Sequence, residues 1–140
     1  KCIVSFLTLL RTRWGKVQKN EYFFDIYAFY EIIVGNPNYL LFTKDVKIVT
    51  TQLNLMELYY QLLALYDKQQ AVEFFRRYQE FVVPISNDII IEAMDFRKKH
   101  YKDDLSYVDC IGYTIARKID VPFLTGDRQF ENMENVKFVK

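Results

Sequence analysis

The chain is poor in the residues that define several specialised classes of protein. It has 2 cysteines, 4 glycines and 3 prolines in 140 residues. Cys2 and Cys110 cannot build a disulfide framework, and the sequence has no CxxC pair and no Cys/His spacing of the kind that binds zinc. The low glycine and proline content excludes collagen-like and low-complexity chains. We therefore expect a globular domain in a reducing, cytoplasmic environment.

A strong net charge and a long apolar run are also missing. Lysine and arginine total 19 and aspartate and glutamate 18, so the net charge of +1 identifies no partner. The apolar run 3–10 is too short to span a bilayer, and residues 11–14 after it do not form a signal-peptide cleavage site. We expect residues 1–20 to be an amphipathic or poorly ordered N-terminal extension and residues 21–140 to be one domain, with no membrane partner.

The chain is rich in apolar and aromatic side chains, which occur in short segments. Hydrophobic residues make up 51% of it and aromatic residues 17%, as in a compact, helix-rich domain. Apolar runs predict strands at 22–24, 82–85, 121–124 and 136–139. Helical periodicity and capping residues predict helices at 26–34, 51–66, 68–81, 88–99 and 107–118.

Strands that alternate with helices, with no hairpin signal between them, predict parallel pairing through helical crossovers. The expected fold is α/β, a three-layer α/β/α sandwich with a central parallel sheet. Ligands of such sheets bind at the carboxyl ends of the strands. Asp25 and Asp127 both follow predicted strands, so we expect them to lie at the same edge of the sheet.

Four acidic residues occupy unusual positions, and each also has an ordinary structural explanation. Asp25 is suited to cap a helix. Glu57 lies in an almost entirely apolar helix, either on a narrow solvent face or as a buried group that needs a partner. Asp109 stands three residues after Ser106, as in a capping box. Asp127 is placed to be a turn or cap residue.

Taken together, the four acids predict a metal site. Carboxylates about 5 Å apart repel each other by roughly 3 kcal/mol per pair at an effective dielectric constant of about 20. A cluster is tolerated only if some members are protonated or a cation binds. Ligands that are all oxygen favour Mg²⁺ or Mn²⁺ over Zn²⁺, and Mg²⁺ in turn is typical of phosphodiester or phosphoryl chemistry.

The segments around these acids match a known signature in their order and spacing. They are FFDIYA (23–28), LNLMEL (53–58), LSYVDCIGYTIA (105–116) and FLTGDRQF (123–130). Over residues 21–140 the chain resembles a PIN domain, in particular the VapC-type toxins of toxin–antitoxin pairs, of the archaeal sort. The resemblance implies a metal-dependent endoribonuclease that uses Mg²⁺ or Mn²⁺ and acts on RNA. It also implies a cognate antitoxin and a homodimer, with the catalytic and metal-binding residues Asp25, Glu57, Asp109 and Asp127.

The chain departs from the family pattern in two places. The usual serine or threonine soon after the first acid is absent, because Ile26 and Tyr27 stand there, and the extension 1–20 is not part of the pattern. Other groups would therefore support the carboxylates, and Asn54 and Thr125 are the candidates. Arg128 is the candidate for an RNA phosphate contact because it adjoins Asp127.

Several further residues receive weaker predictions. His100 lies in a charged run, where a solvated side chain is expected rather than a general base. Asp103 and Asp104 precede a helix cap in a lysine-rich segment and are expected to be solvated. The aromatic excess exceeds the needs of one small core, so some rings are candidates for a homodimer face or an antitoxin groove: Tyr27, Phe29, Tyr30, Tyr59 and Tyr60.

Three other functions compete with RNA cleavage. A phosphoacceptor receiver domain needs an acidic neighbour beside Asp25 and a phosphorylatable aspartate after the third strand, and both are missing. A haloacid-dehalogenase-like phosphatase needs a second aspartate at position 27, where the chain has tyrosine. A non-catalytic binding module that retains the acids for structural reasons stays open.

Overall fold

The computed structural model describes residues 20–140, so the predicted extension lies outside the described residues apart from Asn20. Within that range four short strands form one sheet in the order β2-β1-β3-β4, and every neighbouring pair is parallel. The strands are β1 (Glu21–Phe24), β2 (Lys47–Val49), β3 (Phe123–Thr125) and β4 (Val136–Phe138). None of the described helices is long and apolar enough to cross a membrane.

Within residues 20–140, five α-helices and four short 3₁₀ helices connect the strands. The α-helices are α1 (Ile26–Ile33), α2 (Gln52–Leu62), α3 (Lys68–Arg77), α4 (Asn87–Lys99) and α5 (Tyr107–Lys118). The 3₁₀ helices are Pro37–Phe42, Tyr78–Phe81, Tyr101–Asp103 and Arg128–Phe130. Each α-helix begins at a side chain that accepts a hydrogen bond from a backbone N–H of the first turn, and these caps are Asp25, Thr51, Asp67, Ser86 and Ser106.

The two faces of the sheet are covered by different helices. Phe23 and Phe123 point to one face, where they pack with buried residues of α4 and α5. Phe24 and Leu124, the next residue on each strand, point to the other face, where α1, α2 and α3 lie. Layers on both faces of a parallel sheet confirm the expected α/β/α sandwich.

Glycine lets α5 approach the sheet closely. A Cβ atom built at Gly112 would lie 2.8 Å from the Phe23 ring, a contact that side chains do not tolerate. The close approach of α5 places the first turn of this helix, which carries Asp109, beside the carboxyl end of β1.

The predicted segmentation was wrong at three points. Residues 82–85 do not form a sheet strand, because Pro84 offers no N–H and only Val82 makes a single parallel bridge, to Thr50. The second strand is instead Lys47–Val49, a short segment in a charged stretch that was not predicted. The helices predicted to reach residues 66 and 81 end at Leu62 and Arg77.

Candidate active site

The strand order reverses beside β1, and this point of the fold carries an acidic cavity. The connection through α1 leads from β1 to β2 on one side, whereas β3 lies on the other. A crevice at the carboxyl ends of such strands is the usual ligand site of an open parallel sheet. The cavity measures about 430 Å³, and all four acids predicted from the sequence line it. The complete lining is Asp25, Ile26, Tyr27, Tyr30, Glu31, Glu57, Gln61, Ser106, Asp109 and Asp127.

Asp25 is the most deeply placed of these acids. It directly follows β1, is 1% exposed, and caps α1 by accepting a hydrogen bond of 2.9 Å from the Ala28 N–H. Burial raises the pKa of Asp25 to about 8; a hydrogen bond from Thr125 and the Ala28 bond oppose that rise, while the charges of Asp109 and Asp127 add to it. Without a cation, this carboxyl group is therefore largely protonated near neutral pH.

Glu57 lines the cavity from α2, which lies on the same face of the sheet as α1 and α3. It is half-buried on α2, whose start is fixed by Thr51. Burial raises its pKa, and the nearby charge of Asp109 raises it further. Glu57 therefore belongs electrostatically to the acid group and not to the solvent face that its helical spacing also allowed.

Asp109 has both a structural and an electrostatic role. Its N–H donates to Ser106 Oγ at 3.0 Å, and its Oδ2 accepts from the Ser106 N–H at 3.4 Å, which completes the predicted capping box. Burial raises the pKa of Asp109, and the charge of Asp127 raises it too, whereas the hydrogen bonds with Ser106 lower it. The cap and the acid site thus use the same side chain.

Asp127 is held by a tight turn after β3. Its N–H donates to Thr125 Oγ1 at 3.0 Å, and its Oδ1 accepts from the Gln129 N–H at 3.0 Å. Gly126, which lies between Thr125 and Asp127, has no room for a side chain. A Cβ atom there would collide with the Tyr27 ring and lie 2.5 Å from the Val139 carbonyl oxygen. The turn therefore fixes Asp127 against α1.

The two predicted supporting residues behave differently. Thr125 is fully buried and hydrogen-bonds to both Asp25 and Asp127. Asn54 is also fully buried, but its Oδ1 accepts from the Thr51 hydroxyl at 2.6 Å, and its Nδ2 has no partner among the described residues. Asn54 thus stabilises the start of α2 and makes no hydrogen bond with a carboxylate of the described residues.

Arg128 does not reach the cavity. It is exposed in the turn after Asp127 and is absent from the lining. Asp103 and Asp104 are exposed as expected, and Asp103 lies 2.9 Å from His100 Nδ1. Of the aromatic interface candidates, Phe29 was wrongly placed, because it is 1% exposed in the core.

The residues that line the cavity carry the donor atoms that a hard divalent cation prefers, but their present positions do not surround an ion. In the part of the chain that the structure describes, no three acidic, histidine or cysteine side chains are positioned to hold one metal ion together. The donor atoms are nevertheless carboxylate, amide and hydroxyl oxygens, and none of the described lining residues is lysine or arginine. The residues therefore fit a metal ion only if the carboxylates reorient around it.

Four lining residues were not predicted to belong to the acid site: Tyr30, which was an interface candidate, Ser106, which was a helix cap, Glu31 and Gln61. Gln61 was detectable in part, because it stands four residues after Glu57 and so shares its helix face. Tyr30 and Glu31 follow Asp25 by five and six residues, and no motif marks them as part of the site. Only the position of α1 against the cavity shows their place.

Comparison with known proteins agrees with this architecture. The family model of the PIN domain matches residues 23–136. The chain therefore belongs to the PIN domain family. No curated protein sequence matches it significantly.

Solved structures share the fold at low sequence identity. One is VapC20 of Mycobacterium tuberculosis, a toxin that cleaves the sarcin-ricin loop (18% identity, TM-score 0.69, covering 85% of this chain and 99% of that one). Another is a toxin–antitoxin complex from Klebsiella pneumoniae (16%, 0.66, 83% and 95%). A third is VapBC2 of Rickettsia felis bound to a DNA fragment from their promoter (16%, 0.64, 86% and 99%).

Proposed function

We propose that this protein is a metal-dependent endoribonuclease and the toxin of a toxin–antitoxin pair. The observation that carries the proposal is the cavity, in which acids from separate elements meet with no basic residue among the described lining. Membership of the PIN family supports a nuclease. It gives no support to the receiver-like or dehalogenase-like alternatives, so the non-catalytic binding module is the competing hypothesis.

Asp25, Glu57, Asp109 and Asp127 would hold the metal, which we propose to be Mg²⁺ or Mn²⁺. Such an ion supplies an activated water and neutralises the charge that develops on the phosphate. The chain provides the fixed frame for the ligands: Ser106 orients Asp109, and Thr125 orients Asp25 and Asp127. The raised pKa of Asp25 means that this group must lose a proton before it can be a ligand.

The partners follow from the same assignment. We propose RNA as the substrate, a cognate antitoxin protein, a homodimer and a cytoplasmic location. Two of the similar solved structures are described as toxin–antitoxin assemblies, which supports the antitoxin. Arg128, exposed beside Asp127, remains our candidate for a phosphate contact outside the cavity.

The test is cleavage of RNA by the purified protein with and without metal. We expect fragments with Mg²⁺ or Mn²⁺, none with EDTA, and recovery when excess metal is added back. Cleavage that EDTA leaves unchanged would contradict the metal site. A folded protein that cleaves no RNA with either ion would leave the binding module as the better description.

A further inference from the structure

We propose that Tyr30 and Gln61 form a subsite for one unpaired nucleobase of a single-stranded RNA, beside the acidic cavity. The inference rests on the proposed ribonuclease function and specifies its substrate class. In this arrangement the phosphate to be cleaved lies among the acids, and a neighbouring base leaves the stack and lies on the Tyr30 ring.

Tyr30 is a ring without a partner among the described residues. It is half-buried and lines the cavity, yet within residues 20–140 its side chain has no hydrogen bond, no ring contact and no cation over its ring. Tyr27, one helical turn earlier, is instead packed between Tyr39, with ring centroids 6.4 Å apart, and the Lys140 ammonium, 5.2 Å from its ring centre. Among residues 20–140, Tyr30 therefore offers the cavity an aromatic ring that makes no ring or cation contact.

Gln61 places an amide on the facing helix. It stands one turn after Glu57 on α2, about 6 Å further along the helix axis at the usual rise per residue. Its side chain is exposed and makes no hydrogen bond with any described residue, although it lines the same cavity. An amide both donates and accepts hydrogen bonds, as recognition of the edge of a base requires.

The charge on this wall favours a base over a phosphate. Glu31 lies next to Tyr30 in the lining, and Asn36 Nδ2 donates to its Oε2 at 2.6 Å, which fixes a carboxylate there. No described lysine or arginine lines the cavity to offset it. A phosphate against this wall would be repelled, whereas a neutral base would not. Only an unpaired base can reach a ring in such a cavity, so the subsite selects single-stranded RNA.

The experiment measures binding in a background that the proposed function makes inactive. The parent is the Asp25→Asn protein, and each test protein adds one further change: Tyr30→Ala, Tyr30→Phe or Gln61→Ala. Fluorescence anisotropy measures the binding of a short fluorescein-labelled single-stranded RNA to each of them. We expect Tyr30→Ala to raise Kd about tenfold, since stacking of a base on an aromatic ring has that order of effect. Tyr30→Phe should stay within about twofold, and Gln61→Ala should raise Kd about threefold and weaken the preference among bases.

The matched control is Tyr60→Ala, which removes a 78% exposed tyrosine of α2, the helix of Gln61, that does not line the cavity. It should leave Kd unchanged. Equal affinity of the Tyr30→Ala protein for single-stranded RNA, or equal affinity of the parent for duplex RNA, would overturn the subsite. Binding without cleavage by the wild-type protein would overturn only the nuclease assignment, and absence of RNA binding would overturn both.

Discussion

Two regions of this protein are rich in acidic residues, and they differ in every physical respect. In the acidic cavity, carboxylates from the end of β1, from α2, from α5 and from the turn after β3 meet, and burial raises the pKa of Asp25, Glu57 and Asp109. In the turn before α5, Asp103 and Asp104 are adjacent in sequence, exposed, and close to His100. The acids of the turn are adjacent in sequence, but the electrostatic cost is higher in the cavity.

The difference shows which acids need a functional explanation. Exposed carboxylates are solvated, and a surface contact such as that between His100 Nδ1 and Asp103 contributes less than about 1 kcal/mol. Buried carboxylates without a cationic partner destabilise the folded chain. A cost of that kind at the carboxyl edge of a parallel sheet is typical of a binding or catalytic site.

The largest expected contrast between the two regions is in catalysis. Asp25→Asn and Asp109→Asn should each lower the rate of RNA cleavage at least about a thousandfold, because each removes a charge on which the proposed metal site depends. Asp104→Asn is the matched control, because asparagine tolerates the left-handed backbone at this position, where φ is 52°. It should cleave at the wild-type rate within about twofold. If folded Asp25→Asn protein cleaved RNA at the wild-type rate, Asp25 in the cavity would matter no more for catalysis than Asp104 in the turn.

The next contrast is in the pH dependence of stability. The pKa of Asp25 is about 8 in the folded chain, above the ordinary value of 3.8. The folded state therefore holds a proton that the unfolded state has lost, so the free energy of unfolding falls as pH rises from about 4 to about 8. In EDTA, Asp25→Asn should lack this loss and exceed the wild-type stability at pH 8 by on the order of 2 kcal/mol, while it still caps α1.

Denaturant unfolding at pH 5 and pH 8 measures the effect. Asp104→Asn should follow the wild-type slope, since this side chain is exposed. Parallel slopes for wild type and Asp25→Asn would show that the Asp25 carboxyl group is not held protonated by burial.

The smallest contrast concerns the hydrogen bonds that hold an acid in each region. Ser106→Ala removes the hydroxyl that caps α5 and the side-chain hydrogen bond that lowers the pKa of Asp109, while the bond from the residue 106 N–H stays, so it should lower the free energy of unfolding by about 1 kcal/mol. His100→Gln removes the partner of Asp103 at the surface and should change it by less than about 0.5 kcal/mol. Thermal unfolding of both variants measures the two changes in the free energy of unfolding. An equal loss of stability in the two variants would contradict the difference in burial between Asp109 and Asp103.

Much of the fold followed from local sequence signals. Asp25 and Ser106 cap the helices that they were expected to cap, because side-chain capping depends on a few neighbouring residues. The edge shared by Asp25 and Asp127 followed from parallel pairing alone. The strand at 47–49 was missed because three residues in a charged stretch carry too little pattern, whereas the apolar run at 82–85 could not show that Pro84 limits its pairing.

The composition of the site was only partly readable. The acids were found because carboxylates in apolar surroundings are conspicuous in a sequence. Tyr30 and Glu31 were not assigned to the cavity, since their place depends on how α1 packs against the sheet and not on neighbouring residues. Asn54 looked like a supporting group from its helix face, but its hydrogen bond with Thr51 depends on side-chain geometry that spacing does not determine.

The most direct test of the account is a crystal structure of the protein soaked in Mn²⁺, with the ion located by its anomalous scattering. The account predicts an ion in the cavity at the carboxyl ends of β1 and β3, bound by oxygens of at least three of Asp25, Glu57, Asp109 and Asp127. Manganese bound only at the exposed pair Asp103 and Asp104, or no bound ion in crystals of a protein that cleaves RNA, would contradict it.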